Sequence, residues 1–266
     1  MKSVWILERT WKNKKQGIVW MVENDKGQKG YFKYTTLKHW FYSGTMIANE
    51  FIAAALARSL GFPMAQLEYA SVLGPKGKKQ KGIVSLVEDA NEVMTWYEAS
   101  ASVWKEPERH VEQVDLLSQL VVFDAWITNI DRAPGKNLIL YRNDSWEKYK
   151  WYLIDHGHTL YGSPRKWKRG PWDGPLWQKL WRFYNVPRGL LRLQSSIANI
   201  EPMIKKIENL SNREIEMAIE EAPKGTIKKQ EKEFIKQLLV TRRKQIRNIM
   251  YNWLDYKGTR EYEGAT

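Results

Sequence analysis

The sequence predicts an α+β fold of two lobes, a β-rich front carrying one helix and a helical back interrupted by a hairpin. Three observations predict it. Runs of β-branched and aromatic residues broken by Lys/Asn/Gly turns fill the first third, and from residue 92 the pattern turns helical. A chain of 266 residues that is 43% hydrophobic also has core enough for one large domain or two lobes.

Strands are expected at 4–11, 17–23 and 30–35. A helix should follow at 47–60, where Ala dominates, Ile47, Phe51 and Arg58 recur at helical spacing, and Gly61 with Pro63 stops it. A second strand pair, 67–73 and 82–88, flanks the basic loop 74–81. Residues 111–128 read as one helix buried all round near its end. Strands 138–141 and 149–154 form a hairpin turned at Arg142-Asn-Asp-Ser145. Ser211-Asn-Arg-Glu214 is a capping-box pattern, and Ile235, Leu238, Leu239, Arg242, Ile246, Ile249, Met250 and Trp253 mark one stripe of a long last helix. The expected organisation is therefore a β-rich lobe over 1–90, a joint near 86–92, a helical lobe over 91–256 and a frayed tail over 257–266.

Forty-three Lys and Arg against thirty Asp and Glu leave a net charge of +13, which favours anionic partners. The absence of cysteine excludes disulfides, thiolate zinc sites and a cysteine nucleophile. The longest apolar run, Phe51 to Ala57, is too short to span a bilayer, and the first residues carry no signal-peptide core. A cytoplasmic protein without a membrane span is expected.

The chemistry concentrates in Asn129-Ile-Asp131-Arg-Ala-Pro-Gly-Lys-Asn137 and Ile154-Asp155-His-Gly157. Asn137 opens one hairpin strand and Asp155 closes its antiparallel partner, so pairing brings them to the same end of a ribbon that Asp131 enters. Two carboxylates and an amide oxygen form a hard donor set of the kind Mg²⁺ takes, with one carboxylate left to accept a proton. Phosphoryl transfer from ATP needs that set. Upstream, Lys33 on a strand can meet phosphates, and Glu50 in the first helix can hold Lys33 by an ion pair. Gly157 would let the backbone turn away from the metal.

The stretches Ala48–Pro63, Phe123-Asp-Ala-Trp-Ile-Thr-Asn-Ile-Asp-Arg132 and Asp155-His-Gly157 resemble the HipA-like kinases, whose bilobal protein-kinase-like fold lies close in motif style to the phosphatidylinositol 3- and 4-kinases. The resemblance runs from about Gly30 to Gly157. It implies an ATP- and Mg²⁺-dependent Ser/Thr protein kinase with Asp131 as base, Asn137 and Asp155 on the metal, and Lys33 on the phosphates with Glu50 as its partner. It also places adenine against the hinge backbone at Leu86, Val87 and Glu88. Three features depart from the pattern. Asp131 and Asn137 stand one residue further apart than in the kinase loop H-R-D-x-x-x-x-N, with Pro134-Gly135 between them. No Gly-rich loop is visible, so phosphates would be cradled by the 12–17 turn or by Ser43-Gly-Thr45. Toxin members of the family carry an extra N-terminal subdomain, which this chain is expected to lack, weakening a toxin–antitoxin role.

A small-molecule or lipid-headgroup kinase, a pseudokinase and a basic nucleic-acid-binding module are the competing expectations. Trp167, Trp172, Trp177 and Trp181 interleaved with Arg165, Lys166, Lys168, Arg169 and Lys179 motivate the last. Trp177 and Trp181 also suit core packing, as Asp124 suits a hydrogen-bonded structural carboxylate. His156 and His158 alone make a poor transition-metal site. The expected partner is a protein acceptor, acidic by charge complementarity, or a small molecule.

Overall fold

The computed structural model describes residues 4–13, 17–35, 45–74, 77–160 and 179–263. Strands β1 (Trp5–Asn13), β2 (Gly17–Asn24), β3 (Lys29–Tyr34), β4 (Leu67–Leu73) and β5 (Lys79–Leu86) form one antiparallel sheet in the order β1-β2-β3-β5-β4. The edge strands β1 and β4 touch, so the sheet curls on itself. Its inner face buries Trp5, Trp20, Val22, Phe32, Ala70, Val72 and Val84. Phe32 points into this core, and the alternation along β3 turns Lys33 the other way, toward the cleft. Gly82 lets β5 lie this close: a Cβ there would stand 2.1 Å from the Lys33 carbonyl oxygen.

Helix α1 (Met46–Leu60) ends at Gly61, whose φ of 91° permits the left-handed turn while Phe62 N–H reaches back to Ala57 O. Its Ala-rich faces pack on the helical part of the molecule. Beyond the sheet come β6 (Glu92–Thr95), a 3₁₀ turn (Trp96–Glu98), and helices α2 (Ala101–Lys105), α3 (Pro107–His110), α4 (Val114–Ser118) and α5 (Leu120–Trp126). The single helix expected over 111–128 is thus two. Val111 is drawn into a bridge with Tyr149, Gln113 adopts φ 51°, and Thr128 at φ 60° ends the run. The all-round burial expected near its end holds, since Leu120 to Ile127 are all buried.

The hairpin is β7 (Leu138–Arg142) with β8 (Lys150–Leu153), joined by β6 on the outer side of β7. Strand β6 was not expected. It is held by the Arg142–Glu92 ion pair at 2.6 Å and by Tyr149 OH donating to Glu92 at 2.7 Å. After the 3₁₀ turn Leu180–Phe183 come α6 (Leu191–Gln194), α7 (Ile197–Glu208), α8 (Asn212–Glu220) and α9 (Lys229–Glu263). The capping box at Ser211 forms on both sides: Glu214 N–H donates to Ser211 Oγ, and Ser211 N–H donates to Glu214 Oε2. The stripe of α9 is buried except for Ile249, which is partly buried, and Arg242 within it donates to the Ala125 and Trp126 carbonyls at the end of α5 and to Tyr184 OH. Helix α9 continues to Glu263, past Lys257, where a frayed tail was expected. Among the described residues no helix is long and apolar enough to cross a membrane.

Candidate active site

Four segments meet at one cleft. Lys33 comes from β3, Glu50 and Asn49 from α1, Asp131 and Asn137 from the loop after α5, and Asp155 from the end of β8. Lys33 Nζ lies 2.7 Å from Asp155 Oδ2, with both side chains about a quarter exposed at 26%. Burial alone would lower the Lys33 ammonium, but Asp155, Glu50 and Asp131 together hold it above its ordinary value. Burial likewise pushes the Asp155 carboxyl up, and Lys33 more than reverses this, leaving it low.

The ion pair expected between Lys33 and Glu50 is not the one formed. Glu50 is buried, and its Oε2 accepts the His156 N–H at 2.7 Å, with the Gly157 amide a second backbone donor. Burial, helped by the negative Asp155, raises its carboxyl to about 7 against the pull of Lys33. Beside it Asn49 donates through Nδ2 to Gly157 O and Thr159 O, both at 3.0 Å, while Thr45 Oγ1 donates to its Oδ1. Helix α1 therefore grips the backbone after Asp155. The sharp turn expected at Gly157 falls on Asp155 itself, which adopts φ 59°, a left-handed conformation that a non-glycine residue holds only where its surroundings over-determine it.

The loop from Asn129 to Asn137 is braced from below. Buried Arg132 donates through Nε and Nη2 to both oxygens of Asp124, through Nη1 to Asn137 O, and through Nη2 to His156 Nε2. Asn129 donates to Asp124 Oδ1 and accepts the Asp131 N–H. Asp124 is thus the structural carboxylate expected of it; burial raises its pKa, with Arg132 and Asn129 opposing. His156 stays neutral, because burial and then Arg132 push its pKa far down. The extra loop residue is absorbed at Gly135, where φ is 70° and a Cβ would press on Trp96. Asn137 still returns to Asp131, its Nδ2 donating to Asp131 O at 3.3 Å, and its own carbonyl accepts Ile154 N–H. The carboxylates of Asp131 and Asp155 and the amide oxygen of Asn137 suit a hard cation held partly by phosphate oxygens. Among the described residues no three His, Asp or Glu side chains cluster as a self-sufficient metal site.

Above this lies a cavity of about 460 Å³, lined among others by Val19, Tyr31, Lys33, Leu86, Val87, Ile139, Tyr152 and Asp155. Its size suits a nucleotide. Leu86 and Val87 line it, but their amides are already used: Leu86 N–H donates to Gln66 O and Val87 N–H to Lys29 O. Glu88 does not line it, and its backbone bonds the Tyr152 hydroxyl. Ser43, Trp167, Trp172, Trp177 and most of the two proposed phosphate-cradling turns lie outside the described residues. Trp181 packs on the helical core and against Tyr256.

Residues 36–163 match the family model described as HipA-like kinase. No curated protein matches the chain. Among solved structures, the proinflammatory kinase CtkA of Helicobacter pylori is 12% identical over 94% of each chain, with a TM-score of 0.54, a likeness of fold. HipA of Shewanella oneidensis MR-1, in its toxin–antitoxin complex with HipB and operator DNA, is 15% identical over 93% of this chain and 65% of that one, with a TM-score of 0.48. The Golgi casein kinase with Mn/ADP bound is 10% identical over 94% and 72%, with a TM-score of 0.47.

Proposed function

We propose that this chain, a HipA-like kinase in its residues 36–163, transfers the γ-phosphoryl group of ATP to a Ser or Thr hydroxyl of a protein with the help of Mg²⁺. The observation that supports this most is the Lys33–Asp155 pair at the mouth of a nucleotide-sized cavity, with Asp131 and Asn137 on the loop beside it. In this reading Lys33 exchanges Asp155 for phosphate oxygens when nucleotide enters. Asp155 and Asn137 would hold the cation, whose charge would offset that developing on the phosphoryl oxygens. Asp131 orients the acceptor hydroxyl and takes its proton as the oxygen bonds to phosphorus and the bond to ADP breaks. Glu50 and Asn49 keep Asp155 in its turn, and Arg132 keeps the Asp131 loop in place.

A thermal-shift titration with ATP tests the binding half. At a concentration about a hundred times Kd, ATP with Mg²⁺ should stabilise the protein by about 2.7 kcal/mol, a rise of roughly 5–10 °C for a chain of this size. Asp155→Ala should lose the Mg²⁺-dependent part of that rise. An equal rise in the variant would remove Asp155 from the metal and nucleotide site.

A further inference from the structure

A second cavity, of about 390 Å³, lies on the other side of the Trp96–Glu98 turn and is lined by Trp96, Tyr97, Trp104, Ala133, Pro134 and Arg188. The same turn presents Thr95 and Glu98 to the nucleotide-sized cavity, so the two spaces share a wall. Ala133 and Pro134 belong to the loop that carries Asp131, so this second space borders the loop of the proposed base. Its aromatic walls are fixed in place: the Trp96 indole N–H donates to Arg188 O at 2.8 Å and the Trp104 indole N–H to Trp96 O at 2.9 Å. Tyr97 is 59% exposed and is tied to the loop through its N–H, which donates to Gly135 O.

The charge at this rim is positive. The Arg188 guanidinium stacks over Trp104, 4.6 Å from the ring centroid, and Lys136 Nζ stands 5.2 Å from the Tyr97 centroid. Both side chains are exposed, and among the described residues no carboxylate lies within ion-pair distance of either. The nearby acid, Glu98, accepts from Thr95 N–H and Thr95 Oγ1, both at 2.8 Å; these bonds and Lys136 nearby hold its carboxyl below the ordinary value, so Glu98 offsets part of the Lys136 charge while Arg188 keeps its own. Cations stacked on rings keep donor edges turned outward, and an apolar floor beneath them suits the methylenes of a Glu or Asp side chain.

We propose that this cavity is the acceptor-docking site and that it takes acidic side chains flanking the phosphorylated hydroxyl of a protein substrate. The proposal rests on the kinase reading of the adjoining site. Single-stranded nucleic acid also stacks on aromatics beside arginine, but it requires a line of cations following its backbone, and among the described residues the cavity offers two at one rim.

The test measures binding directly. Short fluorescent peptides with one central Ser flanked by Glu, by Gln or by Lys are titrated into the full chain at low salt, with a uridine oligoribonucleotide of similar length as a fourth probe. The Glu peptide should bind about fivefold or more tighter than the Gln peptide, the scale of one or two partly exposed charge pairs. Arg188→Glu and, separately, Lys136→Glu should each weaken the Glu peptide about fivefold without changing the MgATP thermal shift. Equal binding of the Glu and Gln peptides, unchanged affinity in both variants, or tighter binding of the RNA with loss in the same variants would each overturn the proposal. The MgATP shift in the same samples keeps the two readings apart. A normal shift without peptide discrimination sinks the docking site alone, and no shift sinks the kinase reading while peptide binding is still measured.

Discussion

Replacing Asn49 by Leu tests how the Asp155 turn is held. Asn49 is 1% exposed, and its amide supplies a donor to both Gly157 O and Thr159 O at 3.0 Å. Leucine keeps the branched shape and the helix, although its methyls are bulkier than the amide, so the loss at those two carbonyls and the Thr45 hydroxyl is joined by some overpacking. A buried acceptor stripped of its donor costs about 1–3 kcal/mol, and relaxation of the loop shares the loss, so roughly 2–4 kcal/mol is expected. For a chain of this size that lowers Tm by about 5–15 °C. Asn49→Asp should cost more, because it sets a carboxylate against two carbonyls beside Glu50. Ser59→Ala, on the exposed face of the same helix, removes only a bond to Leu56 O and should change stability by less than about 0.5 kcal/mol. The assay is thermal unfolding without nucleotide, followed by MgATP titration. If Asn49→Leu melts with Ser59→Ala, the grip of α1 on the loop is not what orders it.

The Glu50 carboxyl is raised from an ordinary 4.5 to about 7 in the folded chain, so the folded state binds the extra proton between those values. Stability should therefore fall as pH rises through that window, by about 3 kcal/mol in all, and Glu50→Gln should lack this component. Urea midpoints at either end of the window, in metal- and nucleotide-free buffer, check this; parallel curves for the two proteins would contradict it. Arg132→Met leaves Asp124 buried without its cation and should cost about 3–5 kcal/mol. The double variant Asp124→Leu with Arg132→Met should be less destabilised than Arg132→Met alone, and simple additivity of the single changes would show that the pair is not coupled.

What could be read from the sequence was governed by how local each constraint is. The meeting of Asn137 with the Asp155 end follows from one short hairpin, so strand pairing alone predicts it. Lys33 facing the cleft follows from the alternation with Phe32. The partner of Lys33 was not legible, because Glu50 and Asp155 are both near its ammonium and only the three-dimensional distance separates them. Asn49 carried a signal that was missed: it is a poor helix former set in an alanine-rich, mostly apolar helix. Strand β6 is too short for its periodicity to stand out, and its pairing depends on β7, far along the chain. The late start of α4 at Val114 comes from Val111 bridging to Tyr149, a contact that no helical periodicity contains.

The central claim is that Asp131 takes the proton of a protein hydroxyl as phosphate is transferred. It is tested most directly by single-turnover transfer of radiolabelled γ-phosphate from MgATP into protein, comparing the natural chain with Asp131→Asn at saturating nucleotide. The expected result is label in protein bands, with the rate in the variant lower by about two to four decades and the MgATP thermal shift retained. Equal rates in the two proteins, or label appearing only in organic-soluble material, would contradict it.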